Sequence, residues 1–226
     1  MDERRAAKVL ICFYSRYGAT AKLAEAIASG ARMIPPDDVR IRRIPDLDPD
    51  EVIRRDESRW RAHQRLSKDY PEVTPEDVAW ANGLVVGSPG YLGGMAAAVK
   101  AWLEQALAPW NNPQIEEKAG AAFSTTATAH GGSEATIASI LTALMHLGLI
   151  ITPSGYVLPT LGSNQCPYGA TFTTGYDHEF LPTEGELAAA RSLGFRVSHV
   201  ARCLIDGREL ESYRRRHWYL VAGPSR

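Results

Sequence analysis

Residues 8–20 read KVLICFYSRYGAT, and this stretch decides the fold. Its opening part, up to Tyr14, is a nearly continuous apolar run, as in a parallel strand that is buried on both faces. From Thr20 to Arg32, apolar residues recur at helical spacing. The stretch therefore predicts a buried strand, a tight turn and a helix in direct succession.

The same strand and helix pattern repeats along the chain. Further strands are predicted at 39–44, 83–88, 119–125 and 149–154, and further helices at 74–81, 95–107, 133–147 and 183–205. The last helix opens with Thr183 and Glu186 at capping-box spacing. Strict alternation indicates an α/β fold, a three-layer sandwich around a parallel five-stranded sheet. The charged strand at 39–44 suits a sheet edge, which fits the strand order 2-1-3-4-5.

Composition and charge narrow the class of protein. We expect one domain over residues 1–207, with a charged helical excursion at 49–75 and a C-terminal tail at 208–226. The formal net charge of -1 provides no field that would attract nucleic acid or an anionic membrane. Neither a secretory signal nor an apolar run of roughly 20 residues is present. The three widely spaced cysteines fit reduced thiols better than disulfides or a metal site, so we expect a cytoplasmic protein without a metal.

The turn after the first strand, called the first loop, has the composition of a phosphate-binding loop. It combines hydroxyl side chains, a glycine and the start of a helix, where backbone N–H groups are free to bind an anion. Its residues are Ser15, Arg16, Tyr17, Gly18, Ala19 and Thr20. An alternative is that Gly18 only turns the chain and a hydroxyl caps the helix. The loop matches neither a P-loop nor a dinucleotide-binding turn.

Two further loops follow the third and fourth predicted strands. The second loop is glycine-rich and consists of Pro89, Gly90, Tyr91, Leu92, Gly93 and Gly94. The third loop is rich in small hydroxyl residues and carries Ser124, Thr125, Thr126, Thr128, His130, Gly131 and Gly132. Parallel strands place these loops at one edge of the sheet. Either could be an ordinary flexible loop, but together the three offer a phosphate nest and two walls for a planar heterocycle, which is the shape of FMN.

The loop residues resemble the WrbA-type NAD(P)H:quinone oxidoreductases of the flavodoxin-like superfamily. The resemblance is carried by Tyr14 to Gly18, by Gly87-Ser88-Pro89 with Gly93 and Met95, and by Phe123 to Thr126 with Thr128, Gly131, Gly132 and Glu134. A later stretch, Pro167 to Thr171 with Gly175, is similar to another loop of this family. Several loops in register are more specific than any one of them.

The resemblance implies a function and a set of site residues. It implies FMN as cofactor, NAD(P)H as co-substrate, a quinone-like acceptor and a homotetramer. By this similarity the first loop holds the phosphate, the second and third loops hold the ribityl chain and the ring, and Trp110 lies beside the flavin. His130 is the candidate catalytic residue, because no other histidine lies in a binding loop.

The sequence also departs from the family. Gly90 to Gly94 replace the run Thr-Arg-Phe-Gly-Asn, which removes a cation and an amide, and Leu147 replaces a histidine that His146 adjoins. Two alternatives therefore stay open. One is an FMN-binding electron carrier without catalysis of its own, although such carriers usually have an acidic docking face. The other is a flavin-free interaction protein on the same fold.

Overall fold

The computed structural model describes residues 6–35, 38–106, 117–156, 166–178 and 180–208. The strands are β1 (Lys8–Phe13), β2 (Asp38–Arg43), β3 (Gly83–Tyr91), β4 (Gly94–Met95), β5 (Ala119–Thr126), β6 (Ile150–Ile151) and β7 (Ala170–Thr173). The helices are α1 (Ala19–Ala31), α2 (Asp50–Ile53), α3 (Glu57–Asp69), α4 (Pro75–Trp80), α5 (Ala97–Ala106), α6 (Ser133–His146) and α7 (Glu184–Arg208).

The main sheet is parallel and has the predicted strand order. The order is β2-β1-β3-β5-β6, which is 2-1-3-4-5 when the strands of the main sheet alone are counted. In register, Val9 of β1 lies between Val39 of β2 and Gly83 of β3. The charged strand β2 stands at the edge, where its side chains keep partial contact with water.

The fifth position of the sheet differs from the prediction. The strand predicted at 149–154 forms a ladder only at Ile150–Ile151, which pairs with Ala119 and Gly120. A second short strand, β7, pairs farther along the same edge of β5, with Phe123 opposite Ala170. The fifth strand is thus divided in two. Four residues are too few to show a period in the sequence, which is why β7 was missed.

The core lies in two layers, one on each face of the sheet. Side chains of β1 alternate between them, with Ile11 in the layer under α1 and α7 and Leu10 in the layer under α5 and α6. All of β1 apart from its first residue is buried. This alternation confirms the predicted three-layer α/β sandwich.

The remaining elements agree with the prediction in outline. The excursion contains α2 and α3, and Thr183 and Glu186 form the expected capping box at the start of α7, with Glu186 N donating to Thr183 Oγ1 at 3.2 Å. Most of the C-terminal tail lies outside the described residues. Within the described part of the chain, no helix is long and apolar enough to cross a membrane, and no cluster of potential metal ligands occurs.

Candidate functional site

The three predicted loops meet at the carboxyl edge of the sheet. β3 pairs with both β1 and β5, so the loops that follow these strands are neighbours. The Thr20 and Thr125 hydroxyls lie 3.0 Å apart and join the first loop to the third. The Arg16 guanidinium lies 5.0 Å from the centre of the Tyr91 ring and joins the first loop to the second. The fold therefore brings together the residues that the sequence analysis selected from distant segments.

Gly18 of the first loop is the N-cap of α1. Gly18 has a φ of 99°, which is in the left-handed region, and no side chain caps the helix. Its N–H donates to Ser15 Oγ at 2.9 Å, while Tyr17 Oη donates to Asp56 at 2.7 Å. The hydroxyls of Tyr17 and Thr20 thus hold the loop in place. The N–H groups of the first turn of α1 are the donors left for an anion.

A network of charged side chains, centred on Arg59 of α3, supports the first loop. Arg59 is 8% exposed, and its Nη2 lies 2.9 Å from both Asp46 carboxylate oxygens and 2.6 Å from Asp48. Tyr14 Oη donates to Asp46 at 3.0 Å. Burial opposes ionisation of Asp46, but the hydrogen bonds from Arg59, the Asp48 backbone and Tyr14, together with the Arg59 charge, outweigh it and lower the pKa of Asp46. Burial and the nearby Asp46 charge raise the pKa of Tyr14 to about 12, so the phenol keeps its proton.

The second loop is a tight hairpin and not the flexible loop that was considered. β3 continues past the predicted end at residue 88 and pairs with β4, Gly90 opposite Met95 and Tyr91 opposite Gly94. Leu92 and Gly93 form the turn with φ values of 52° and 78°, as in a type I′ hairpin. The hairpin leaves the Leu92 side chain fully in solvent.

Gly90 is held in a tight space. A Cβ at this position would lie 2.7 Å from Thr126 Cγ2 and 2.8 Å from Thr136 Oγ1. Glycine, which stands here in place of the threonine noted above, therefore fits the side chains around it. By contrast, a Cβ on Gly93 or Gly94 would meet no atom within 4 Å, which leaves open space beside the hairpin.

The third loop is fixed by hydrogen bonds of its own. Thr126 Oγ1 donates to the Thr128 carbonyl at 2.9 Å, and the Gly131 N–H donates to the same carbonyl at 2.9 Å. Gly132, with a φ of 82°, is the N-cap of α6, and no side chain caps this helix either. His130 is exposed to solvent. A second helix N-terminus thus opens at the same edge as that of α1.

Pro89, Ala19 and Ser124 occupy supporting positions. Pro89 pairs with Thr125 in the β3 and β5 ladder, and Ala19 is the first residue of α1. Ser124 is buried, and its Oγ has no hydrogen-bond partner among the described residues. Trp110, predicted beside the flavin, lies outside the described residues.

Sequence reasoning missed His178, Asp56 and Arg59. The His178 ring stacks on Tyr17 with centroids 4.3 Å apart and planes at 29°. It follows β7, the short strand that the sequence analysis did not predict. The charged composition of the excursion does not indicate which of its side chains fold back onto the first loop.

Comparison with known proteins identifies the family. Residues 9–161 match the family model described as NADPH-dependent FMN reductase. The chain belongs to this family. A protein of Methylocella silvestris named NAD(P)H dehydrogenase (quinone) is 38% identical over 200 residues, covering 86% of this chain and 97% of that protein. A protein of the same name from Aromatoleum aromaticum is 34% identical, covering 89% and 99%. These findings confirm the predicted class, an FMN-dependent NAD(P)H oxidoreductase.

Solved structures support the fold of this FMN reductase family member. The flavodoxin, WrbA-like protein from Agrobacterium tumefaciens aligns with a TM-score of 0.60 at 20% identity, covering 88% of this chain and 99% of that one. A flavodoxin from the domain Archaea aligns with a TM-score of 0.55 at 16% identity, covering 86% and 99%. The flavodoxin-like fold is confirmed.

The described residues fit the FMN that this family uses. Two helices of more than three turns begin without a side-chain cap at the edge where the loops meet. Uncapped helix N-termini favour a phosphate, because their N–H groups lack partners and carry partial positive charge. At Gly93 and Gly94 no neighbouring atom blocks a close approach to the hairpin backbone.

Proposed function

We propose that this chain transfers reducing equivalents from NAD(P)H to a quinone-like acceptor by means of bound FMN. When bound, FMN accepts a hydride from NAD(P)H and passes it to the acceptor. The relatives named NAD(P)H dehydrogenase (quinone) match nearly their whole length, which supports the proposal. The alternatives, a carrier without catalysis or a flavin-free interaction protein, are less consistent with these names.

The observation that carries the proposal is the convergence of the three loops. The hydrogen bond between Thr20 and Thr125 places the uncapped start of α1 beside the third loop and the start of α6. We propose that residues 15–20 bind the FMN phosphate, and that residues 89–94 and 124–132 bind the ribityl chain and ring. Trp110 is proposed beside the ring.

The side chains and backbone have separate tasks in this proposal. The N–H groups of the first turn of α1 bind the phosphate, and those at the third loop stabilise negative charge on the ring edge. Tyr91, held by Arg16, forms one wall of the ring site. His130, which is exposed, is the candidate for exchanging a proton with solvent.

The first test is a visible absorption spectrum of the purified protein, taken before and after FMN is added and excess is removed by desalting. We expect a retained flavin spectrum that NADPH bleaches. Loss of all flavin on desalting would contradict the cofactor assignment. A Gly18→Val variant should bind FMN at least tenfold more weakly, because valine at a φ of 99° distorts the N-cap.

Kinetics test the reaction itself. If NADPH and benzoquinone bind at the same place, the oxidised nicotinamide must leave before the quinone binds. Double-reciprocal plots of the initial rate should then give parallel lines. Intersecting lines would show that both bind at once and would rule out the shared place.

Assembly and location are also proposed. We propose a homotetramer in the cytoplasm, on the resemblance and on the use of unpaired cysteines. Light scattering tests the assembly: a mass of four chains of 24.7 kDa is expected, and a monomer would contradict it.

A further inference from the structure

A groove that begins at the first loop runs along the exposed side of α1. It lies between α1 and α3 and is bordered by His178 and Phe180, with a volume of about 380 Å³. This volume falls within the range of small-molecule sites. The groove shares Tyr17, Gly18 and Ala19 with the first loop, so it opens directly beside the proposed phosphate site.

Two cations of the groove have no ionic partner. Lys22 on α1 and Arg65 on α3 both line it, and neither takes part in an ion pair within the described ranges. Arg65 Nη2 reaches over the first loop, to 2.5 Å from where a Cβ would stand on Gly18. The groove also holds two carboxylates: Glu25, which accepts the Tyr70 hydroxyl at 2.8 Å, and Asp69. The groove thus offers a phosphate two cationic side chains as donors.

The third feature of the groove is an aromatic border. Phe180 is 53% exposed, yet its N–H donates to the Thr174 carbonyl at 3.0 Å, which anchors its backbone. His178 is held against Tyr17 by ring stacking. An exposed ring beside cations without ionic partners suits a nucleotide, because the base can stack on the ring and the phosphate can contact the cations.

We propose that this groove binds the adenosine end of NADPH, with the 2′-phosphate on Arg65 and Lys22 and the adenine against Phe180. The inference rests on the proposed function and extends it, because it assigns a preference for NADPH over NADH. In the proposed reaction, NADPH is the substrate that carries an adenosine with a 2′-phosphate. FMN brings one phosphate, for which the first loop provides the uncapped helix.

The test compares Arg65→Gln with Arg61→Gln in the FMN-loaded protein. Both arginines lie on α3, but Arg61 is 74% exposed, pairs with Glu57 and does not line the groove. For Arg65→Gln we expect the KM for NADPH to rise about tenfold, because one charge-assisted contact is lost, with kcat and the KM for NADH unchanged. Arg61→Gln should leave both KM values unchanged.

Direct binding separates this inference from the proposed function. Calorimetry with adenosine 2′,5′-bisphosphate on the FMN-loaded protein should show binding that Arg65→Gln weakens about tenfold and Arg61→Gln does not. Absence of binding to the wild type, or an equal KM rise for NADPH and NADH, would overturn the inference. A parallel loss of FMN affinity in Arg65→Gln would overturn it too, because Arg65 would then contact the FMN phosphate. Failure of NAD(P)H oxidation with intact bisphosphate binding would refute the proposed function alone.

Discussion

At Gly90 the absence of a side chain allows the β3 and β4 hairpin to lie against Thr126 and Thr136. Gly90→Ala should lower the free energy of unfolding by about 1–3 kcal/mol, because the added methyl overpacks this contact. Urea unfolding of the FMN-free protein measures the change. Gly94→Ala, in the same hairpin with open space around it, is the control and should change stability by less than about 0.5 kcal/mol. Equal losses in both variants would contradict the packing at Gly90.

The three cysteines should differ in reactivity. Cys12 and Cys166 are buried, and burial raises the pKa of both thiols, whereas Cys203 is exposed on α7. Since the thiolate is the reactive form, we expect iodoacetamide at pH 8 to label Cys203 first and the other two only after unfolding. Peptide mass spectrometry identifies which cysteine is labelled and how fast. Rapid labelling of Cys166 in the native protein would show that its loop is open.

At the scale of elements, α3 supports the first loop from outside the sheet. Arg59 on α3 binds Asp46, which accepts the hydroxyl of Tyr14, the residue that follows β1. Asp56 at the N-cap of α3 accepts both the Arg59 N–H and the Tyr17 hydroxyl. The charged excursion thus has an inner side that contacts the candidate site.

This network predicts a pH dependence. The folded protein lowers the pKa of Asp46, so its carboxylate stabilises the fold above the unfolded pKa of about 4, and this contribution is lost as the pH falls through the lower folded pKa. Asp46→Asn should cost about 2 kcal/mol at pH 7, since hydrogen bonds to a charged group are lost. The cost should begin to shrink as the pH falls below about 4, where the carboxylate of the unfolded chain takes up a proton, and should vanish below the lower folded pKa.

Urea unfolding at pH 7 and at pH 3.5 measures this difference. Asp50→Asn is the control, because the Asp50 side chain is 52% exposed, and it should cost less than about 0.5 kcal/mol at either pH. A cost for Asp46→Asn that does not change with pH would mean that Asp46 acts through packing and not through its charge.

At the scale of the whole molecule, the helices and strands named above all lie between residues 8 and 208. The predicted domain boundary at residue 207 therefore leads to a test. A variant that ends at Gly207 should unfold in one cooperative transition with an unchanged midpoint and should bind FMN within twofold of the full chain. A lower midpoint would place part of the tail within the folded domain.

The sequence by itself determined the strand order of the sheet and the position of its loops. A central parallel strand must be buried on both faces, so β1 appears as an apolar run, and the edge strand β2 appears as a charged one. The sequence also predicted that the three loops lie close together, since parallel strands bring their carboxyl ends to one edge of the sheet. Only the tertiary structure decided which side chains hold those loops. The stacking of His178 on Tyr17, the Arg59 and Asp46 pair and the divided fifth strand join residues that are far apart in the chain or too few to show a period, so their pairing depends on the completed fold.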